Sequence, residues 1–365
     1  MAARSLTPYR LYRRSLKTDR SFPHEPLRPL QSASWTPWVS RIEYFRQSEI
    51  DAVKIAVTGA TGFLGRYVVK ELRSRGHQIV AWRGRSAKKS DERESDAKES
   101  GTDGHTDSGT DPGVRWISGR LGEQASTHAL VAGADAVVHA ALYRDCANFM
   151  DDPRDLISYA ETNVIGALRL LQSSAEHQVR KFVNVSSGTV HQKVLTDRPL
   201  DETHPLWPES MYGAAKASVE TWIHAFGFGG KLNACTLRPT AIYGVAEPIE
   251  SSKWFALVKD VAAAKTVHPT GGSKEVHVAD VARAIRILLE TDHPVAGETY
   301  NCSDRMISRF EVAQVAKRLS GSDSIIEGKP KVAKNAIETR KLQNLGMQFG
   351  GTQRLEETVA ALLRV

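Results

Sequence analysis

Three glycines at three-residue spacing, in Thr58-Gly59-Ala60-Thr61-Gly62-Phe63-Leu64-Gly65, constrain this chain more than any other stretch. They follow a short apolar run, Val53-Lys54-Ile55-Ala56-Val57, and open a helical pattern in which Val68, Val69 and Leu72 share a face. Strand, glycine turn, helix is the order that a dinucleotide pyrophosphate needs. Gly59 permits the tight turn, Gly62 lets backbone N–H groups approach the phosphates, and Gly65 lets the helix pack close to the strand. The positive end of the helix then faces the negative charge, with Thr61, Phe63 and Leu64 completing the cofactor-binding turn. A βα turn that binds nothing can carry the same glycines, so the remainder of the chain has to decide.

The segment Gly76-His77-Gln78-Ile79-Val80-Ala81-Trp82 reads as a turn and second strand, followed by Arg83-Gly84-Arg85. At this strand end an acid selects the ribose 2′-hydroxyl, whereas arginine accommodates a 2′-phosphate. No acid appears until Asp91. Arg83 and Arg85 therefore favour NADP(H), with NAD(H) as the alternative. Val114–Ile117, Ala136–Ala141 and Lys181–Val185 read as strands three to five, the last preceded by a helix carrying Asn163, Val164, Ala167, Leu168 and Leu171. This alternation predicts an α/β, doubly wound parallel sheet of the Rossmann type, with its ligand beyond the carboxyl ends of the strands.

Downstream, Trp254, Phe255, Leu257 and Val258 suggest a helix roofing a pocket, and 280–289, 310–319 and 355–363 read as further helices. Thr299–Cys302 reads as a strand. The expected organisation is an N-terminal extension over 1–50, a dinucleotide-binding domain over 51–238, and a small substrate lobe over 239–365. Within that lobe, 276–296 is expected to return to the core.

At the end of strand five stand Ser186 and Ser187, and Tyr212-Gly213-Ala214-Ala215-Lys216 opens a later helix. Tyr212 and Lys216 are one helical turn apart and project from the same face. A free phenol, with a pKa of roughly 10, is a poor base at neutral pH. A neighbouring ammonium favours the phenolate, so Tyr212 is expected to titrate below its ordinary value. It would then exchange a proton with a substrate hydroxyl or carbonyl while hydride moves to or from a nicotinamide, and Ser187 would hold the substrate oxygen. Such a Tyr/Lys pair occurs on ordinary helices too. Its meaning comes from the dinucleotide turn and the strand-end serine.

With these residues in view, the sequence resembles an extended short-chain dehydrogenase/reductase, the group also called NAD-dependent epimerase/dehydratase. The resemblance runs from Val53 to the C-terminus. It rests on Thr58 to Gly65, His139-Ala140-Ala141, Asn163-Val164-Ile165-Gly166, Ser186-Ser187, Tyr212 with Lys216, Leu237-Arg238-Pro239 with Tyr243-Gly244, and His277 to Ala282. It implies catalytic roles for Ser187, Tyr212 and Lys216, with Asn163 supporting a water relay to the lysine. It also implies that Lys216 binds the nicotinamide ribose, and that Ala140, Ala141 and Pro239 border the cofactor. By the same analogy, a homodimer built on paired helices is an option.

The departures bear on the substrate. His191-Gln192 stands where the family often has Tyr-Gly, and Gly119-Arg120 where a Gly-Asp pair holds the adenine. Thr240-Ala241-Ile242 and Ser273-Lys274-Glu275 replace an asparagine and an arginine typical of nucleotide-sugar members. An oxidoreductase or epimerase acting at a secondary alcohol or ketone is expected, on a sugar or nucleotide sugar among the options. Dehydration ranks below both, because Gly188-Thr189 after the serine offers no carboxylate. The alternative is a nicotinamide-binding structural or regulatory protein without turnover.

The expected partner is a small-molecule substrate, with neither nucleic acid nor a membrane. A hydrophobic content of 41% and a charged content of 25% suit a soluble globular protein. The net charge of +7 owes much to Arg4, Arg10, Arg13, Arg14, Lys17, Arg20 and Arg28, and no basic surface with interleaved aromatics suggests nucleic acid. That basic stretch suits either a mitochondrial transit peptide or a disordered arm, or an overlong start; a cytoplasmic location is expected otherwise. No apolar run suggests a membrane span. Cys146, Cys235 and Cys302 lack metal spacing and are expected to be buried thiols, and His139 has no metal-ligand partner, so no metal site is expected. Residues 86–113 hold no large apolar side chain and read as a disordered insertion.

Overall fold

Alternate residues of the central strands serve two different cores, and this period of two organises the structure. The computed structural model describes residues 52–83, 113–146 and 149–365. In β1 (Lys54–Thr58), Ile55 and Val57 join one apolar cluster while Ala56 joins another. In β5 (Lys181–Val185), Val183 and Val185 go to the first and Phe182 to the second. Only a sheet covered on both faces requires near-continuous apolar strands of this kind.

The intervening elements are α1 (Phe63–Ser74), β2 (Gln78–Arg83), β3 (Val114–Ser118), α2 (Gln124–Val131), β4 (Ala136–His139), α3 (Leu156–Ala160) and α4 (Gly166–Glu176). After β5 come α5 (Met211–Phe228), β6 (Ala234–Pro239), β7 (Ala241–Tyr243), α6 (Phe255–Ala262), β8 (Gly272–His277) and α7 (Val278–Glu290). The chain closes with β9 (Thr299–Cys302), β10 (Arg305–Ser308), α8 (Arg309–Ser320), α9 (Arg340–Gln343) and α10 (Gly351–Leu363). The main sheet is parallel, in the order β3-β2-β1-β4-β5-β6-β9. Its order reverses direction between β1 and β4, the place where a doubly wound sheet opens a crevice for a ligand. The α/β, Rossmann-type expectation holds.

Beyond the main sheet, β10, β8 and β7 form a small mixed sheet, with β8 antiparallel to β10 and parallel to β7. Together with α6, α8 and α10 it encloses a third apolar cluster around Tyr243, Val258, Ile307 and Val359. None of these three short strands was legible in the sequence.

Other expectations need correcting. β4 ends at His139, so Ala140 and Ala141 lie in the turn beyond it. Trp254 does not begin a helical turn; it caps α6 in a left-handed conformation, φ 71°. Asn163 is not in a continuous α-helix, since Glu161–Ile165 forms a π-helical turn between α3 and α4. Cys235 and Cys302 are buried, but Cys146 is only half-buried. The expectations for residues 1–50, for Arg85 and for residues 86–112 of the insertion lie outside the described residues. Among the described residues, no helix is long and apolar enough to cross a membrane.

Candidate functional site

The glycine turn is as tight as backbone can be. A Cβ on Gly65 would lie 1.9 Å from the Gly59 carbonyl oxygen, and one on Gly59, at φ 74°, would lie 2.8 Å from Ala140 backbone atoms. Gly65 therefore seats α1 on the turn, and Gly59 seats the turn on the end of β4. Gly62 caps α1 without a side-chain hydrogen bond, and the first turn of the helix carries no acid. Thr61 and Gly62 are exposed. The positive end of the helix thus meets no acid from its own first turn, and this fits a pyrophosphate. Phe63 and Leu64, half-buried, form the first turn behind them.

Thr58 couples this turn to β4, a role sequence reasoning did not assign. Its Oγ1 accepts from the N–H groups of Ala140 and Ala141, each at 3.1 Å. The hydroxyl hydrogen is then directed to Nδ1 of His139, 2.9 Å away. Burial, helped by the Lys216 charge, lowers the His139 pKa to about 3. The imidazole is neutral and hydrogen-bonded to Thr58.

On the other side of β4, the structure brings Ser187, Tyr212 and Lys216 together. Ser210 caps α5 through the Gly213 N–H, which starts the helix one residue before Tyr212. Ser187 Oγ accepts from the backbone N–H and the hydroxyl of Thr189, at 3.2 and 3.0 Å. The Ser187 hydroxyl acts on the Tyr212 phenol and lowers its pKa against the larger, raising effect of burial. Lys216 Nζ donates to the Val185 carbonyl at 2.8 Å and lies 6.0 Å from the centroid of the Tyr212 ring.

The electrostatics of this trio differ from expectation. Burial raises the Tyr212 pKa, and the Ser187 hydrogen bond opposes it only in part. The ammonium does not produce a lowered phenol, because its hydrogen bond goes to a backbone carbonyl and it is itself buried. Desolvation lowers the Lys216 pKa to about 8, with the Glu220 carboxylate pulling the other way. The phenol is thus held in its protonated form.

Asn163 is buried, but no hydrogen bond joins it to Lys216. Its Oδ1 accepts from Tyr143 N–H at 2.8 Å, and its Nδ2 donates to the Tyr143 and Tyr159 carbonyls at 2.9 and 3.0 Å. The amide therefore pins the loop that leaves β4. Interruptions of this π-helical kind often mark functional positions. Pro239 ends β6, and its carbonyl approaches the position a Gly188 Cβ would take to 3.7 Å. Arg83 stands exposed at the end of β2, its guanidinium 5.9 Å from the Trp116 ring centroid.

A second buried network escaped sequence reasoning. Glu220, four residues after Lys216, accepts from Arg238 Nε at 3.1 and 2.9 Å and from its Nη2 at 2.6 Å. Arg238 Nη1 donates to His191 Nε2 at 3.1 Å, while His191 Nδ1–H donates to the Pro205 carbonyl at 3.1 Å. Burial and the guanidinium lower the His191 pKa to about 4, consistent with that neutral tautomer. His191 is therefore tied into a structural network. An i, i+4 glutamate after the lysine is the one sequence signal that could have revealed it.

The profile of the NAD dependent epimerase/dehydratase family matches residues 55–303. Cinnamoyl-CoA reductase 1 of Petunia hybrida is 24% identical over 326 residues, covering 84% of this chain and 91% of the reductase. A dTDP-glucose 4,6-dehydratase of Mycolicibacterium smegmatis is 30% identical over 129 residues, only 34% of this chain and 38% of the dehydratase. Among solved structures, UDP-glucose 4-epimerase of Thermotoga maritima with UDP-glucose superposes with a TM-score of 0.66 at 23% identity, covering 85% of this chain and 97% of the epimerase. The Thermus thermophilus UDP-glucose 4-epimerase complex with NAD gives 0.65 at 21% identity, covering 85% and 99%. At these identities, the structural likeness is one of fold.

Proposed function

The chain belongs to the NAD-dependent epimerase/dehydratase family, an enzyme family, and on that premise we propose that it is an NAD(P)-dependent oxidoreductase acting at a secondary alcohol or ketone through Ser187, Tyr212 and Lys216. One observation carries this reading. The Ser187–Tyr212–Lys216 group and the glycine turn flank the same strand end, joined through His139, which bonds Thr58 and feels the Lys216 charge. A bound nicotinamide would supply the hydride, or accept it. Ser187 orients the substrate oxygen and Tyr212 exchanges a proton with it. In the direction of reduction, a phenol kept protonated by burial is the donor that the new alkoxide needs. Asn163 acts by holding the Tyr143 loop beside this group.

Among cofactors, NADP(H) is favoured over NAD(H), supported by Arg83 at the end of β2, although the Thermus thermophilus relative is a complex with NAD. Ala140, Ala141 and Pro239 would line the cofactor's path across the strand ends. A second reading, nucleotide-sugar epimerisation, is favoured by the relatives that act on UDP-glucose. Two measurements separate them: consumption of NADPH with a ketone, and interconversion of UDP-hexoses without net change in cofactor. Tyr212→Phe tests the shared core. It is expected to lower kcat by roughly 10²–10⁴-fold with cofactor still bound. A variant retaining full turnover would remove Tyr212 from the mechanism.

A further inference from the structure

Hydrogen bonds hold the loop that leaves β4 in place. Asn163 clamps Tyr143 N–H and C=O, and the two oxygens of Asp145 accept from Arg154 and Asp155 N–H at 3.2 and 3.1 Å. Asp155 in turn caps α3 through the Ser158 N–H at 3.0 Å. Its large apolar side chains face solvent: Tyr143 is 39% exposed, Phe149 53% and Met150 50%. Exposed apolar side chains on a hydrogen-bonded loop offer contact surface to an apolar group.

Where this loop meets the chemistry is defined. The Phe149 ring lies 5.8 Å from the Tyr212 ring, tilted by 48°, and the Arg144 guanidinium lies 4.7 Å from the Phe149 centroid on its own side. Met211, the residue before Tyr212, is 41% exposed. A carbonyl that reaches the Tyr212 phenol brings its neighbouring substituent toward the Phe149 ring. That ring offers apolar surface, which favours a planar apolar group over a polyhydroxylated one.

Resting on the oxidoreductase reading, we propose that Phe149 is a specificity-determining residue and that the substrate carbonyl bears an aromatic or otherwise planar apolar substituent, which packs against Phe149 beside Tyr212. Arg144 and Tyr212 both contact the Phe149 ring, and a flat substituent adds a further contact on the part left exposed.

The test uses the full chain loaded with NADPH, with 4-phenylbutan-2-one and butan-2-one as a pair that differs in the ring. Turnover is followed by NADPH absorbance and binding by quenching of its fluorescence. Phe149→Ala should lower the ratio of kcat/KM for the phenyl ketone to that for butan-2-one about ten-fold, mostly through KM, and Phe149→Trp should restore it. Phe149→Ala should also weaken binding of the phenyl ketone by a similar factor. If neither ketone is reduced yet phenyl-ketone binding depends on Phe149, the oxidoreductase reading falls and the aromatic wall stands. An unchanged ratio and unchanged binding would overturn the proposal. So would a shift from dimer to monomer in sedimentation with both unaffected, because the patch would then be an interface between copies of this chain.

Discussion

Two buried cations sit on neighbouring elements of this protein, and the structure treats them in opposite ways. Arg238 of β6 is given a bidentate carboxylate from Glu220, the ring nitrogen of His191 and the Glu202 carbonyl. Lys216, one turn before Glu220 on α5, has a single hydrogen bond, to the Val185 carbonyl. A buried charge surrounded by a full set of partners is locked, since breaking the set leaves an uncompensated ion. A buried ammonium with one neutral acceptor is desolvated and close to losing its proton, which is why its pKa falls to about 8. Arg238 therefore fastens α5 to the sheet, whereas Lys216 is held loosely enough to give up its proton near neutral pH.

The contrast can be broken by exchanging the two losses. Lys216→Met should reduce kcat by roughly 10²–10⁴-fold while leaving the fold at least as stable as before, measured by turnover and urea unfolding side by side. Arg238→Met should do the reverse. It strands Glu220 at zero exposure and should cost about 3–5 kcal/mol of unfolding free energy. If Arg238→Met unfolds at the normal urea midpoint, the locked-cation account is wrong.

The titration of Lys216 sharpens the comparison further. Its folded pKa, about 8, lies below its ordinary 10.5, so between these values the unfolded chain holds more of this proton than the folded one. Stability contributed by this group therefore rises with pH through that window. From pH 7 to 9.5 the gain should be about 2 kcal/mol, seen as the difference in urea-derived stability between the unmutated chain and Lys216→Met. The raised Tyr212 phenol acts with the opposite sign, but only above pH 10. His191→Phe gives the smallest effect of this set. Removing one acceptor from Arg238 should cost about 1–2 kcal/mol, without the collapse expected of Arg238→Met.

How far the sequence could be read depends on which interaction places each residue. The glycine turn was legible because its constraint is steric and local: a Cβ on Gly65 has nowhere to go, whatever the rest of the chain does. The Tyr212/Lys216 pair was legible because helical spacing alone puts both on one face. The direction of the Tyr212 titration was misjudged, because spacing predicts proximity but says nothing of burial or of which acceptor the ammonium takes. Phe149 carried no periodic signal at all. It lies beside Tyr212, far along the chain, on a loop that Asn163 and Asp145 tie down. The small sheet was missed for the same reason, since β7, at three residues, is a strand only because β8 lies beside it.

By itself, then, the sequence determined a parallel doubly wound sheet, a tight glycine turn and the shared helix face of Tyr212 and Lys216, all of which follow from short-range sterics and from periods of two and three to four residues. Tertiary structure alone decided that Arg238 is saturated and Lys216 is not, that the phenol is kept protonated, and that an aromatic ring stands beside it. Those outcomes depend on desolvation and on hydrogen-bond partners brought from separate strands and loops. No window of the sequence contains both ends of such a contact.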